Sequence, residues 1–236
     1  MSKRLIIAST STIHGGAYLQ YLLPTLQNHF KDCKSIIFIP YARPGGITCN
    51  EYTSKVKTTF AEIKIDVKGL HEFEDPRLAL KNAEGIFTGG GNTFLLVSQL
   101  YQNEVMEILA TTVENGTPYL GSSAGSNIAG VSMQTTNDMP IVYPPSFKTL
   151  GLIPFNLNPH YLDADLQSQH MGETRETRIK EFHAFNETPV LGLREGSWLE
   201  VNNKTILLKG NLSARLFRQG LEPEELQPGS DLSWLR

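Results

Sequence analysis

The alternation of short apolar runs with longer amphipathic segments constrains the fold of this chain more than any other feature. The apolar runs are rich in Ile, Val and Leu, as strands buried on both faces of a sheet tend to be. Strands that alternate with helices pair in parallel through right-handed crossovers. We therefore predict an α/β fold with a doubly wound, mostly parallel sheet flanked by helices. The predicted strands are 5–9, 35–40, 63–67, 85–88 and 118–120, and the predicted helices are 17–30, 50–61, 76–82 and 93–114, the last broken near 102–104.

The second half of the chain has a looser pattern. Residues 135–159 contain five prolines and are predicted to form long loops, and residues 173–185 are predicted to form a helix. The predicted closing strands are 190–193, 198–202, 205–209 and 214–218. We find no internal repeat, low-complexity segment or linker, so residues 1–236 are predicted to form one domain.

Composition argues against several classes of function. The net charge of the 236 residues is -3, without a basic stripe, which argues against binding to nucleic acid or to a membrane surface. The two cysteines, Cys33 and Cys49, have no paired spacing, so neither a disulfide framework nor a structural zinc site is expected. No apolar stretch approaches the roughly 20 residues of a membrane span, and the N-terminal segment lacks the pattern of a signal peptide. We expect a cytoplasmic protein, and its oligomeric state stays open.

The strongest local motif is residues 121–125, Gly-Ser-Ser-Ala-Gly, which directly follow a predicted buried strand. In a G-x-S-x-G turn the serine is presented between strand and helix, and the flanking glycines allow the sharp bend. Ser123 has glycines on both sides at the required spacing and is the predicted nucleophile. The backbone N–H of Ala124 is then a predicted donor to the oxyanion. The alternative for Ser123 is an ordinary helix N-cap.

A second glycine turn, Thr-Gly-Gly-Gly-Asn-Thr at residues 88–93, also joins a predicted strand to a predicted helix. The N–H groups of Gly90 or Gly91 could complete an oxyanion hole, because adjacent glycines let the backbone approach a ligand closely. The alternatives are an anion cradle or a tight turn capped by Asn92. The spacing matches neither a dinucleotide-binding fingerprint nor a P-loop. Both glycine turns end strands of one predicted parallel sheet, which favours a single shared site.

A serine nucleophile at neutral pH needs a neighbouring base, and His160 is the preferred histidine. It follows Pro159, whose fixed φ restrains the local backbone. His14, beside two glycines after the first predicted strand, could also face the site. His29, His71 and His183 are favoured as structural residues, and His170 is predicted to lie in a polar loop. Spacing does not identify the acid that orients the base, which leaves open Asp138, Asp163, Asp165 and Glu195. A metal pair of His160 with Asp163 lacks a third ligand at matching spacing, so no metal is predicted.

Several segments in the same order give the chain a close family resemblance. The matching segments are 9–12, 89–94, 121–125, 135–142, 157–160, 172–175 and 192–196. The sequence resembles peptidase E, the α-aspartyl dipeptidase family of serine peptidases, whose fold is similar to that of class I glutamine amidotransferases. The resemblance implies Ser123 as nucleophile and His160 as base. It offers Glu195 or Asp138 as the third member of the triad, and we favour Glu195.

The resemblance also bears on specificity. It implies that Arg175 binds the substrate's aspartate side chain, for which a planar guanidinium is suited. The alternative for Arg175 is an exposed helix residue paired with a nearby glutamate. Asn92 is a predicted substrate-binding residue, and it stands where the related cyanophycinases usually have glutamine, which favours the dipeptidases. Ser122 departs from some bacterial members, which have tryptophan there.

The predicted function is therefore a serine dipeptidase that hydrolyses Asp-Xaa dipeptides without a cofactor. Its predicted partner is a small acidic dipeptide. The alternatives are another serine acyl hydrolase, such as an esterase or a cyanophycinase-like enzyme, and a catalytically inactive protein that binds acidic peptides.

Overall fold

The computed structural model describes residues 3–165 and 172–235. The strands of this part of the chain are β1 (Arg4–Ala8), β2 (Ser35–Ile39), β3 (Asp66–Gly69), β4 (Ile86–Thr88), β5 (Tyr119–Ser122), β6 (Asn156–Pro159), β7 (Val190–Leu193), β8 (Ser197–Asn202), β9 (Thr205–Gly210), β10 (Ala214–Phe217) and β11 (Glu224–Leu226). Its α-helices are α1 (Leu23–His29), α2 (Cys49–Ala61), α3 (Pro76–Lys81), α4 (Thr93–Gln102), α5 (Met106–Glu114), α6 (Ala124–Asn127) and α7 (Arg175–His183). No helix among these residues has the length and apolar character of a membrane span.

The strands form two sheets. The larger has the order β3-β2-β4-β5-β1-β8-β9, in which the first five strands are parallel and β8 and β9 add an antiparallel hairpin. The smaller has the order β11-β10-β7-β6, in which β6 and β7 are parallel. The predicted doubly wound, mostly parallel sheet flanked by helices is confirmed in the larger sheet.

Side chains of the larger sheet alternate between two buried cores, as the pleat of a strand requires. Ile7 and Ile39 pack on the face covered by α4 and α5, whereas Phe38 and Leu120 pack on the face covered by α1 and α2. Both faces are apolar, which explains why these strands appear in the sequence as continuous hydrophobic runs. The carboxyl ends of the parallel strands therefore emerge at one edge between two filled layers.

The structure differs from the sequence prediction at four places. Strand β3 begins three residues after the predicted start, because Lys64 has a φ of 60° and turns the chain there. The predicted helix 17–30 is instead a 3-10 turn over Gln20–Leu22 followed by α1. Strand β6 lies within the segment predicted to be loop, and β11 was not predicted. The predicted helix break is confirmed, since α4 ends at Gln102 and α5 begins at Met106. That the two sheets form one domain stays a prediction.

Candidate active site

The serine turn joins β5 to α6 in a strained conformation. Ser123 has φ 53° and ψ −111°, a left-handed region that costs a non-glycine residue on the order of 1–3 kcal/mol. A Cβ on Gly121 would lie 2.4 Å from the Gly125 carbonyl oxygen, and one on Gly125 would lie 2.1 Å from the Thr88 carbonyl oxygen. Both positions therefore require glycine. Ser123 stands at the N-cap position of α6, but its side chain makes no capping hydrogen bond to that helix.

His160 connects Ser123 to Glu195. Its Nε2 lies 2.8 Å from the Ser123 Oγ, and its Nδ1 lies 2.6 Å from Glu195 Oε1. With the proton on Nδ1, the ring donates to the carboxylate and accepts from the serine hydroxyl. This hydrogen-bonded series can move the serine proton to the imidazole and stabilise the resulting cation.

A buried hydroxyl fixes the backbone of His160. Ser9 follows β1 and is fully buried, and its Oγ donates to the Leu193 carbonyl oxygen at 2.7 Å. The same Oγ accepts the His160 N–H at 2.9 Å. Strands β6 and β7 are parallel with Pro159 opposite Leu193, so His160 and Glu195 both follow the paired strand ends. His160 itself has a φ of 54°, a conformation that requires such support.

Asp138 is engaged at the start of α4. Its Oδ2 accepts hydrogen bonds from the Thr93 N–H at 2.7 Å, the Thr93 hydroxyl at 2.6 Å and the Thr136 hydroxyl at 3.0 Å. Among the described residues, the carboxylate that bonds to His160 is therefore that of Glu195 and not that of Asp138. Asp163, another acid that the sequence left open, pairs with Arg194.

A cavity of about 240 Å³ opens beside Ser123 and His160. Arg175, the first residue of α7, lines it and forms no ion pair with the described residues. Burial lowers the pKa of this guanidinium, the positive charge of Arg178 lowers it further, and the negative charge of Asp138 opposes the shift. The cavity thus holds a cation to which no described residue is bonded as a counter-ion. The lining residues are Thr93, Ser123, Ala124, Asn127, Thr136, Asn137, Asp138, Pro159, His160 and Arg175.

The second glycine turn lies against the serine turn. A Cβ on Gly90 would lie 2.9 Å from the Ser123 Cβ, so the two turns are in direct contact. The Gly90 N–H donates to the Tyr52 hydroxyl oxygen at 3.1 Å and is already satisfied. The N–H groups of Gly91 and Ala124 have no acceptor among the described residues, and they can serve an oxyanion.

Asn92 uses both ends of its side chain within the protein. Its Oδ1 accepts the Leu95 N–H at 3.0 Å as the N-cap of α4, and its Nδ2 donates to the Met139 carbonyl oxygen at 2.9 Å. Because both polar atoms of the side chain are bonded within the protein, Asn92 stabilises the start of α4 beside the site. None of the other described histidines lines the cavity: His29 and His183 are buried, His71 bonds to Asn50 and His14 is exposed. His170 is outside the described residues.

Sequence reasoning missed three residues at this site. Ser9 and Tyr52 support the two turns, and Asn127 lines the cavity with a buried Oδ1 that has no hydrogen-bond partner among the described residues. Ser9 had a usable signal, because it is the last residue of a predicted strand whose carboxyl end meets the same sheet edge as the glycine turns. No cluster of His, Cys, Asp or Glu in the described ranges is arranged to hold a metal ion.

Comparison with known proteins identifies the family. The model of peptidase family S51 matches residues 5–209. The chain is 51% identical to peptidase E of Streptomyces coelicolor over 231 residues, which cover 98% of this chain and 94% of that protein. It is 43% identical over 237 residues to a Drosophila melanogaster protein named "Probable alpha-aspartyl dipeptidase", covering 99% and 98% of the two chains.

A solved structure supports the fold independently. The crystal structure of a peptidase from an acI-B1 Actinobacterium superimposes with a TM-score of 0.75 over 99% of this chain and 98% of that one. At 15% identity the likeness concerns the fold alone. The two sequence relatives, by contrast, are 51% and 43% identical over nearly the whole chain. This chain belongs to peptidase family S51.

Proposed function

We propose that the chain is a serine-type dipeptidase that hydrolyses Asp-Xaa dipeptides after the N-terminal aspartate. The observation that carries the proposal is the hydrogen-bonded series of Ser123, His160 and Glu195 beside a cavity that contains Arg175, which has no ion-pair partner among the described residues. The relatives named peptidase E and alpha-aspartyl dipeptidase support the same activity.

Acylation begins with attack of the Ser123 Oγ on the carbonyl carbon of the aspartyl residue. The hydroxyl proton passes to His160 Nε2, and Glu195 stabilises the imidazolium. The oxyanion accepts hydrogen bonds from the Gly91 and Ala124 N–H groups. The C–N bond then breaks as His160 returns the proton to the leaving amine, and an aspartyl ester of Ser123 remains.

Deacylation repeats these steps with water. His160 takes a proton from water, and the resulting hydroxide equivalent attacks the ester carbonyl. The tetrahedral intermediate collapses with cleavage of the bond to Ser123 Oγ, which receives the proton from His160. Free aspartate leaves, and the enzyme returns to its initial state.

Two opposite charges in the cavity match the substrate's aspartate. Arg175 binds the side-chain carboxylate, since a partly desolvated guanidinium is suited to a bidentate contact. Asp138 is the one carboxylate that lines the described cavity. Its Oδ2 holds three hydrogen bonds, whereas no described residue donates to its Oδ1. That oxygen can accept the substrate's α-ammonium group, which would restrict cleavage to N-terminal aspartate.

The test is hydrolysis of Asp-Leu beside Asn-Leu, Glu-Leu and Leu-Asp. We expect rapid cleavage of Asp-Leu alone, and a loss of about 10⁴-fold or more in kcat for Ser123→Ala. In Arg175→Met the preference for Asp-Leu over Asn-Leu should fall by roughly 10²-fold or more, because the guanidinium no longer distinguishes a carboxylate from an amide. Full activity of Ser123→Ala, or cleavage of p-nitrophenyl esters without cleavage of Asp-Leu, would overturn the proposal.

A further inference from the structure

We propose that Arg43 binds the C-terminal carboxylate of the dipeptide and so sets the preference for dipeptides over longer or blocked substrates. This inference rests on the proposed function. An Asp-Xaa dipeptide has three charges: an ammonium group, a side-chain carboxylate and a C-terminal carboxylate. The cavity beside Ser123 matches the first two with Asp138 and Arg175. The third charge belongs to the leaving residue and lies on the other side of the scissile bond.

A dipeptide bound at Ser123 can extend toward either face of the larger sheet. Thr93 and Ala124 line the cavity from α4 and α6, on the face that contains Ile39. Ser123 stands at the sheet edge between the faces, and the scissile carbonyl carbon must lie at its Oγ. If the aspartyl half fills the cavity, the leaving residue extends toward the opposite face, where Tyr52 of α2 packs with Phe38.

Arg43 is held beside the glycine turn at that point. The residue before it, Ala42, accepts the Asn92 N–H at 2.7 Å, and a Cβ on Gly91 would lie 2.2 Å from the Ala42 carbonyl oxygen. Its guanidinium carbon lies 5.1 Å from the centroid of the Tyr52 ring. The hydroxyl of that ring is the group that accepts the Gly90 N–H. Both the backbone and the head group of Arg43 therefore adjoin the turn that contacts Ser123.

The charge of Arg43 is available to a ligand. The residue is exposed, and it forms no ion pair with the described residues. Stacking on an aromatic face orients a guanidinium without neutralising it, and the N–H groups at its edge stay free for a bidentate contact with a carboxylate. Arg43 therefore has the charge and the orientation that a C-terminal carboxylate needs.

A second cation lies close by and provides the control. The ammonium of Lys55 stands 4.7 Å from the centroid of the Tyr18 ring, and the Tyr18 hydroxyl lies 3.5 Å from that of Tyr52. Lys55 projects from α2, whereas Arg43 adjoins the glycine turn through Ala42. If a general positive field recruited the substrate, loss of either cation would weaken hydrolysis of Asp-Leu equally. If a single residue binds the carboxylate, only the loss of Arg43 would weaken it.

The experiment compares Asp-Leu with Asp-Leu amide, which lacks the C-terminal charge. In Arg43→Gln we expect kcat/KM for Asp-Leu to fall by about 10- to 100-fold, the loss of one charge-assisted hydrogen-bonded pair, and that for the amide to change less than about two-fold. Lys55→Gln should leave the ratio of the two substrates unchanged. Equal losses on both substrates in Arg43→Gln, no loss on either, or a larger effect of Lys55→Gln would overturn the inference.

Binding separates this inference from the proposed function. Titration calorimetry would compare the affinities of Ser123→Ala for Asp-Leu and for its amide, with and without Arg43→Gln. A selective loss of Asp-Leu affinity in the double variant supports the role of Arg43 whether or not the wild-type chain turns the peptide over. An unchanged affinity overturns it. Absence of Asp-Leu hydrolysis by the wild type would instead contradict the proposed dipeptidase activity.

Discussion

The two sheets contribute to the candidate site in different ways. The larger sheet provides Ser123 on a turn whose neighbours are buried, with Ser122 at 0% and Ala124 at 2% exposure. The smaller sheet provides His160 and Glu195, whose side chains are 34% and 48% exposed. The proposed nucleophile, Ser123, is held by steric packing between glycines, whereas the proposed base, His160, is held by hydrogen bonds at an open junction. We therefore expect substitutions on the Ser123 side of the site and on the His160–Glu195 side to lower activity in different ways.

The largest effect on the base side should come from Glu195→Gln. A glutamine cannot stabilise the imidazolium as a carboxylate does, and it can favour the wrong tautomer of His160, so kcat for Asp-Leu should fall by roughly 10²- to 10⁴-fold.

Asp138→Asn tests the other carboxylate. Because Asp138 faces the cavity and not His160, it should mainly raise KM. Steady-state kinetics of both variants shows which carboxylate acts on His160. A larger loss of kcat in Asp138→Asn would mean that Asp138, and not Glu195, has that role.

On the nucleophile side the corresponding change is Gly90→Ala. The new Cβ would lie 2.9 Å from the Ser123 Cβ and 3.2 Å from the Ser122 carbonyl oxygen, so the serine or the glycine turn must shift. A displacement of about 1 Å at a reacting group can cost on the order of 10²-fold in rate, and we expect a loss of that size in kcat. Gly45→Ala is the matched control, since its Cβ would have no atom within 4 Å. Equal activity of the two variants would show that the packing of the turns is not what fixes Ser123.

A smaller effect is expected where the two sheets meet. Ser9→Ala removes the hydroxyl that accepts the His160 N–H and donates to the Leu193 carbonyl oxygen, so the base should lose orientation and kcat should fall about 10-fold. Ser126→Ala is a close control, because that buried hydroxyl also donates to a backbone carbonyl oxygen, that of Ala8 at 2.6 Å.

The two serine variants should lose similar stability but differ in catalysis. The NMR resonance of the His160 Nδ1 proton should shift in Ser9→Ala and stay in place in Ser126→Ala, because only Ser9 touches the base. Equal kcat in both variants, with an unmoved resonance, would reduce Ser9 to a structural residue. KM should change little in either, since neither serine lines the cavity.

The same difference between the halves explains what could be predicted from the sequence. The serine turn is local: a buried strand, two glycines and a short helix occur within ten residues, and each leaves a pattern in the sequence. The glycine turn at 88–93 is equally local. These features suffice to predict the parallel part of the larger sheet and the edge at which the candidate site lies.

The base side depends on contacts between distant parts of the chain. Strand β6 is an edge strand that contains two asparagines and ends in Pro159, a composition that is unfavourable for strands. Its parallel pairing with β7 brings His160 to Glu195 from 35 positions away. No local periodicity encodes that register. Asp138 and Glu195 were therefore both compatible with the sequence, and the pairing of β6 with β7 is what separates them.

The stability of the fold should decrease at acid pH because of His29, a buried residue of α1 beside the larger sheet. Its Nε2 lies 3.2 Å from the carbonyl oxygen of Tyr119 in β5, and the Tyr119 hydroxyl donates to the Gly125 carbonyl oxygen beside the nucleophile. Burial, and secondarily the positive charge of Arg4, lowers the pKa of His29 from 6.5 to about 3. Between these values the unfolded chain binds a proton that the folded chain does not. Stability should therefore fall as the pH is lowered from 6.5 toward 3.

Replacement of His29 should remove this dependence. A glutamine at position 29 stays neutral and retains an N–H for the carbonyl oxygen of Tyr119, so His29→Gln should unfold in urea with a smaller pH dependence than the wild type. Between pH 6.5 and 4.5 the difference in the free energy of unfolding should be on the order of 2 kcal/mol. His14→Gln, which alters an exposed histidine, should retain the wild-type dependence. Identical pH profiles for His29→Gln and the wild type would show that the acid sensitivity does not come from His29.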